Sequence, residues 1–232
     1  MSNDALNVPA APAISTSLGE KLLNIFVCPG DVFDEVVAGP TRLANWRVPT
    51  LLAGLAGMIL LQATATNETA AVQLLTGAAT LPQEQREMFS GAWPLVSSLT
   101  VCCAAFAGTI WSAFVLWFIG RIFLKVRFSY LKALEVVGLT GIILVLGTVV
   151  TVLLISVSGN VTARPSLSWL GGNANPALRV GRLLDTLNVF HLWTTTVLAI
   201  GLSRLGGVTF KEASFWVFGY WLFARIALIV LA

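Results

Sequence analysis

Between Arg47 and Arg204 the chain contains four charge-free runs, 48–67, 88–120, 136–163 and 186–203, and a fifth apolar stretch from Ala213 onward carries one charge, Arg225. An α-helix of about 20 apolar residues, rising ~1.5 Å per residue, crosses a hydrocarbon core of about 30 Å. The pattern therefore predicts an all-α integral membrane protein, a five-transmembrane-helix bundle over 48–232, with spans at 48–66, 93–119, 134–157, 186–203 and 213–232. The fourth span is the weakest, because Asn188, His191 and the three consecutive threonines Thr194–Thr196 dilute it.

Ahead of the spans the pattern changes. Residues 1–16 are rich in Ala, Pro and Ser, with Asp4 as their one charge; they lack the basic and apolar regions of a cleavable signal and are expected to form a disordered tail. Over 17–47 an amphipathic segment is expected. Leu18, Leu22, Ile25 and Phe26 share one helical face, Pro29 interrupts it, and Asp31 is placed to cap a second short helix carrying Val32, Phe33, Val36 and Val37. Gly39-Pro40 ends that helix. Two such helices either lie in the membrane interface or cap the end of the bundle, and the pattern leaves both readings open.

Composition strengthens the membrane assignment: 56% hydrophobic and 11% charged residues, with a mean hydropathy of +0.84, stand far from the roughly 25% charged residues of soluble domains. The net charge of +3 matters less than its distribution. With a cytoplasmic N-terminus, the inner segments hold Lys21, Arg42, Arg47, Arg121, Lys125, Arg127, Lys132, Arg204 and Lys211, and the outer loops hold Arg86, Arg164, Arg179 and Arg182. That asymmetry favours N-inside and C-outside in a multi-pass membrane protein. No basic stripe is interleaved with exposed aromatics, so no nucleic-acid partner is expected.

Charge within apolar runs marks the candidate chemistry. Arg225, about 12 residues into the last span, is costly unless it pairs or reaches water. It either extends to the outer interface and pairs with Asp185 or the C-terminal carboxylate, or serves an anion or proton pathway. Asp185, Asn188, His191 and Thr195 recur at spacings of three or four and are expected to line one face of span four, forming with Arg225 a polar intramembrane cluster. Packing by interhelical hydrogen bonds is the structural reading of the same face. Glu135 with Lys132 three residues earlier reads as a solvated boundary pair. Arg121, Lys125, Arg127, Lys132, Arg204 and Lys211 form a candidate cytoplasmic basic surface.

Other features read as architecture. Ala104, Gly108 and Ser112, Gly54 with Gly57, and Gly138 with Gly141 are expected to let helices approach closely. Trp46, Trp93, Trp117, Trp169, Trp193 and Trp216 fall near span ends, as an aromatic belt would. Cys28, Cys102 and Cys103 with one His make no metal constellation, and no hydrolase, metalloprotease or phosphate-loop motif occurs, so neither an enzyme nor a cofactor is expected.

The chain also echoes itself. Ile119-Gly120 with Gly138 recurs as Ile200-Gly201 with Gly219, with Val126-x-Phe128 and Val208-x-Phe210 between, as a duplicated parallel hairpin would give. Phe26, Pro29, Phe33 and Pro40, the [Tyr/Phe]-x-[Lys/Glu]-Ala pattern at Tyr130–Ala133 and Phe210–Ala213, Val136-Val137-Gly138, Leu187–Phe190 and Trp216–Gly219 together resemble the Yip1 domain of bacterial membrane proteins. The resemblance runs from about Leu18 onward and implies five helices with a cytoplasmic N-terminus. Eukaryotic members bind Rab-type GTPases through an Asp-Leu-Tyr-Gly-Pro motif, which this sequence lacks, so a GTPase partner is not expected.

These readings favour a non-enzymatic adaptor or membrane-organising protein. Its partners would be the lipid bilayer, a protein at the cytoplasmic face and a second copy in a homo-oligomer. The competing expectation is a small-solute, ion or proton-coupled transporter using span four and Arg225.

Overall fold

A computed structural model describes residues 16–65, 83–167 and 184–231, with backbone alone at 65, 83–94 and 231. Among the described residues the helices are, in order, α1 (Leu18–Asn24), α2 (Pro29–Ala38), α3 (Ala44–Ala65), α4 (Gln83–Phe118), α5 (Tyr130–Ser158), α6 (Val189–Gly206) and α7 (Phe210–Leu231), with a short helical stretch at 184–186 before α6. A π-helical turn at Ile119–Phe123 ends α4. Four of the helices, α3, α4, α5 and α7, are long and apolar enough to cross a membrane. The expected tail falls on 1–15, outside the described residues, except that Thr16 is placed and bonds Glu35.

Local chemistry sets most boundaries. Ser17 and Glu20 form a reciprocal capping box that starts α1. Pro29 begins α2 because the first helical position needs no N–H; Asp31 lies in that first turn, and Cys28, not Asp31, is the cap residue. The repeated [Tyr/Phe]-x-[Lys/Glu]-Ala pattern has a physical meaning here. Each copy is a helix start, capped by Ser129 in one case and by reciprocal Thr209–Glu212 bonds in the other, with Ala133 and Ala213 fully buried. Gly159 and Gly207, at φ of 65° and 63°, supply the left-handed residues that end α5 and α6.

The fourth predicted span, α6, is not among the four apolar spanning helices. Its packing accounts for that. From Phe190 to Ser203 no residue of α6 is fully exposed, since α5, α7 and α2 surround it, so little of its surface has to be apolar enough to face lipid. On α7, by contrast, Phe215, Phe223 and Val230 are 71%, 71% and 72% exposed.

Helix proximity rests on some of the expected small residues. A Cβ on Gly138 would stand 2.3 Å from Trp46 Cα, and one on Gly57 would stand 2.7 Å from Val101, so α3 sits close against both α5 and α4. Gly108 and Gly141 meet nothing within 4 Å and instead border a cavity of about 280 Å³ between α3, α4, α5 and α6. The tryptophans do not all act as a belt. Trp46 packs edge-on against Phe106, Trp193 against Phe26, and Trp216 stacks on Phe123 at 4.2 Å.

Candidate functional site

The first site is the end of the bundle carrying α1 and α2. Ile25, Val32, Phe33 and Val36 are buried in the same core as Val136, Leu202 and Val197, so these helices cap the bundle. Of the large apolar residues on α1, α2 and the turn between them, Leu23, Val27 and Val37, 71%, 85% and 42% exposed, are turned outward. Phe33, fully buried, is therefore not a lipid-facing residue.

Charge locks the cap in place. Lys21 is 3% exposed and pairs with Glu35 at 3.0 Å, and Glu35 also accepts hydrogen bonds from the backbone N–H and the hydroxyl of Thr16. Burial, the largest influence, pushes the Glu35 carboxyl upward, but hydrogen bonds from Thr16 and Lys21 and the Lys21 charge outweigh it and hold it below the ordinary carboxylate range. Glu135 is the deeper anchor. It is fully buried, accepts from Arg42 N at 2.5 Å and Asn45 Nδ2 at 2.9 Å, and lies 3.3 Å from Lys132 Nζ. Lys132 in turn donates to the carbonyls of Val36 and Gly39. The solvated Lys132–Glu135 pair expected from spacing is thus a buried junction of α2, α3 and α5, and Lys132 does not belong to the basic surface.

The remaining basic candidates, Arg121, Lys125, Arg127, Arg204 and Lys211, are exposed. Arg121 lies over the Trp117 ring, and Arg204 pairs with Asp34 at 3.4 Å with both side chains about half exposed. Val126 packs on Gly120 and Gly206, which brings the 124–129 and 207–209 loops together beside the cap. Between α2 and the α6–α7 junction lies a cleft of about 780 Å³, lined by Pro29, Asp34, Arg204, Val208 and Phe210 among others. Sequence reasoning marked the cations but not the cleft, which exists only because α2 folds back over α6.

The second site lies at the opposite end. His191, Thr195 and Arg225 line one cavity of about 340 Å³ between α4, α6 and α7, joined by Ser112, Thr194 and Tyr220. Asp185 and Asn188 are not part of it. Both precede α6, so helical spacing does not carry them onto its face. Asn188 is the N-cap, accepting from Phe190 N at 2.9 Å, and Asp185 accepts from Ser166 Oγ at 3.0 Å. Thr195 donates to its own helix, to His191 O at 2.7 Å, so the polar face is used within α6 instead of between helices. The expected Asp185–Arg225 ion pair does not form; Arg225 lies over Trp221 at 6.0 Å.

Among the described residues no group of His, Cys, Asp and Glu could hold a metal ion. Compared with known proteins, the chain matches no family model, no curated protein and no solved structure.

Proposed function

We propose that this chain is a non-enzymatic membrane protein of Yip1 type, with five transmembrane helices and a cytoplasmic N-terminus, that recruits a partner at its capped face. The reading rests on the cleft between α2 and the α6–α7 junction. It offers apolar contact at Pro29, Val208 and Phe210, with an acid and a base, Asp34 and Arg204, at its border. Exposed Arg121, Lys125, Arg127 and Lys211 at the same end supply long-range attraction to an acidic partner or to anionic lipid. The cap is anchored by buried ion pairs, so this surface is preformed and binding it requires little ordering.

A photo-crosslinking amino acid at Phe210, compared with one at Ile226 on the apolar outer side of α7, tests the reading in native membranes. The expected result is a discrete protein adduct from position 210 that is absent from 226 and abolished by Arg204→Glu. Identical adducts from both positions would sink it. Reporter fusions at 125 and 207 should be cytoplasmic and those at 75 and 170 should not. A cytoplasmic signal at 170 would remove α6 as a span.

A second reading, solute or proton transport, is favoured by one observation, the cavity that joins His191, Thr195 and Arg225. It predicts a measurable proton or anion flux in liposomes that Arg225→Leu abolishes in a folded protein.

A further inference from the structure

The cavity at Arg225 lacks something chemically specific. Arg225 brings a permanent cation and five N–H donors into a membrane-spanning helix, and among the described residues no carboxylate lies within ion-pair distance of it. Trp221, which lines the same cavity, carries a buried Nε1–H with no acceptor. Indole nitrogen can only donate. Tyr220 accepts a hydrogen bond from Trp111 Nε1 at 3.2 Å, which leaves its own O–H as a further donor. The cavity is thus lined by donors and positive charge, and a buried donor left unpaired is destabilising. An anionic, acceptor-only group supplies the partner that Arg225 lacks among the described residues, and phosphate oxygens match the planar fork of arginine.

The cavity has an apolar extension. Val115, Ile119 and Tyr220 also line a groove of about 510 Å³ between α4 and α7, whose remaining walls are aromatic: Trp111, Phe114, Phe118, Phe123, Phe215 and Phe223. These rings are 41–71% exposed and so face the bilayer. From Arg225 to Phe215 the helix axis runs about 15 Å, the depth of one leaflet's half of a ~30 Å hydrocarbon core. Gly219, on the groove side of α7, leaves its floor open, since a Cβ there meets nothing within 4 Å.

We propose that this composite site binds one membrane phospholipid, its phosphate on Arg225 and the Trp221 and Tyr220 donors, and one acyl chain in the aromatic groove. The acyl chain runs from Arg225 toward the capped end, where Phe123 and Phe215 line the groove. The lipid phosphate supplies the counter-charge that Asp185 does not, and the site does not depend on the partner cleft at the other end. Occupied in this way, the cavity is a fixed lipid seat and not a conduit.

Native mass spectrometry of the full chain in detergent tests this with three probes: dioleoyl phosphatidylglycerol, dioleoylglycerol, which lacks the phosphate, and inorganic phosphate as competitor. A retained phosphatidylglycerol adduct is expected, with dioleoylglycerol held weakly and inorganic phosphate unable to displace the lipid. Arg225→Gln should lower retention about tenfold or more, as loss of a charge-assisted hydrogen bond predicts. Gly219→Leu starts from a Cβ in open space and projects into the groove without removing the charge, so it should lower retention in a folded protein even where Arg225→Gln folds poorly. Equal retention of phosphatidylglycerol and dioleoylglycerol, displacement by inorganic phosphate, or undiminished retention in Gly219→Leu would each overturn the proposal. So would a dimer that Gly219→Leu dissociates while lipid stoichiometry stays constant, since the groove would then hold a second copy.

Discussion

At the capped end, Glu135 is fully buried yet meets Arg42 N, Asn45 and Lys132, and Lys132 passes its other protons to two carbonyls of the α2 turn. At the far end, Arg225 has an aromatic ring at 6.0 Å and, among the described residues, no carboxylate within ion-pair distance, beside a buried indole N–H without an acceptor. Both ends carry charge, but at the capped end Glu135 is enclosed by partners from its own chain, with Oε2 held by the Lys132 ion pair alone, whereas Arg225 meets no carboxylate among the described residues. The difference separates structure from function: a charge enclosed by its own chain holds elements together, whereas an incomplete one calls for an external group.

The largest expected effect lies at the satisfied end. Removing one partner from a buried charge junction strands the others, so Glu135→Leu should cost about 3–5 kcal/mol, read as a fall in the thermal unfolding midpoint in detergent. A change below ~1 kcal/mol would mean that water reaches the junction. Next comes Gly138→Ala, which drives a methyl to 2.3 Å from Trp46 Cα and should cost about 1–3 kcal/mol by forcing α3 from α5. Gly141→Ala, one turn away and open, should stay within ~0.5 kcal/mol.

Legibility followed the range of the interactions. Apolar runs locate the long helices because hydrophobic length is local: every predicted span overlaps a helix, and four of the five are long and apolar enough to cross a membrane, whereas α6, covered by protein, is less apolar. Glu135 was misread because Lys132 three residues away supplied a ready surface pair, while its other partners, Arg42 and Asn45, lie about 90 positions distant. Asp185 and Asn188 were placed on a helical face by extending a period past the point where helix α6 begins. Arg225 was visible as a charge in an apolar run, but its companion was not. An indole N–H without an acceptor has no sequence signature, and tryptophans read naturally as belt residues.

The cap should also report pH. Glu35 titrates below its unfolded value near ~4.3, so the Lys21–Glu35 stabilisation is complete above that value and is lost as pH falls through the lower folded one. Amide exchange of α1 and α2 should therefore accelerate as pH falls below about 4, after correction for the intrinsic rate. In Glu35→Gln that acid-induced loss of protection should vanish. Persistence of the same acid loss in the variant would assign it to another carboxylate. At the exposed border of the cleft the effect is smaller: Arg204→Ala removes a pair 47% and 54% exposed and should change stability by less than ~1 kcal/mol, whatever it does to partner crosslinking.

The smallest expected effect is the most discriminating. If Arg225 were neutralised by Asp185, a double-mutant cycle of Arg225→Gln with Asp185→Asn would show a favourable coupling, because either single change would strand a charge that the double change removes. The geometry gives Asp185 to Ser166 and Arg225 to the Trp221 ring, so the two substitutions should add, with a coupling below ~0.5 kcal/mol. Adding phosphatidylglycerol sharpens the comparison, since a bound phosphate stabilises the folded state by mass action only where Arg225 is present. Asp185→Asn should then keep the lipid-induced rise in unfolding midpoint and Arg225→Gln should lose it. A coupling above ~1 kcal/mol in lipid-free detergent would mean that the chain completes its own charge at this end as well, and the contrast between the two ends would fall.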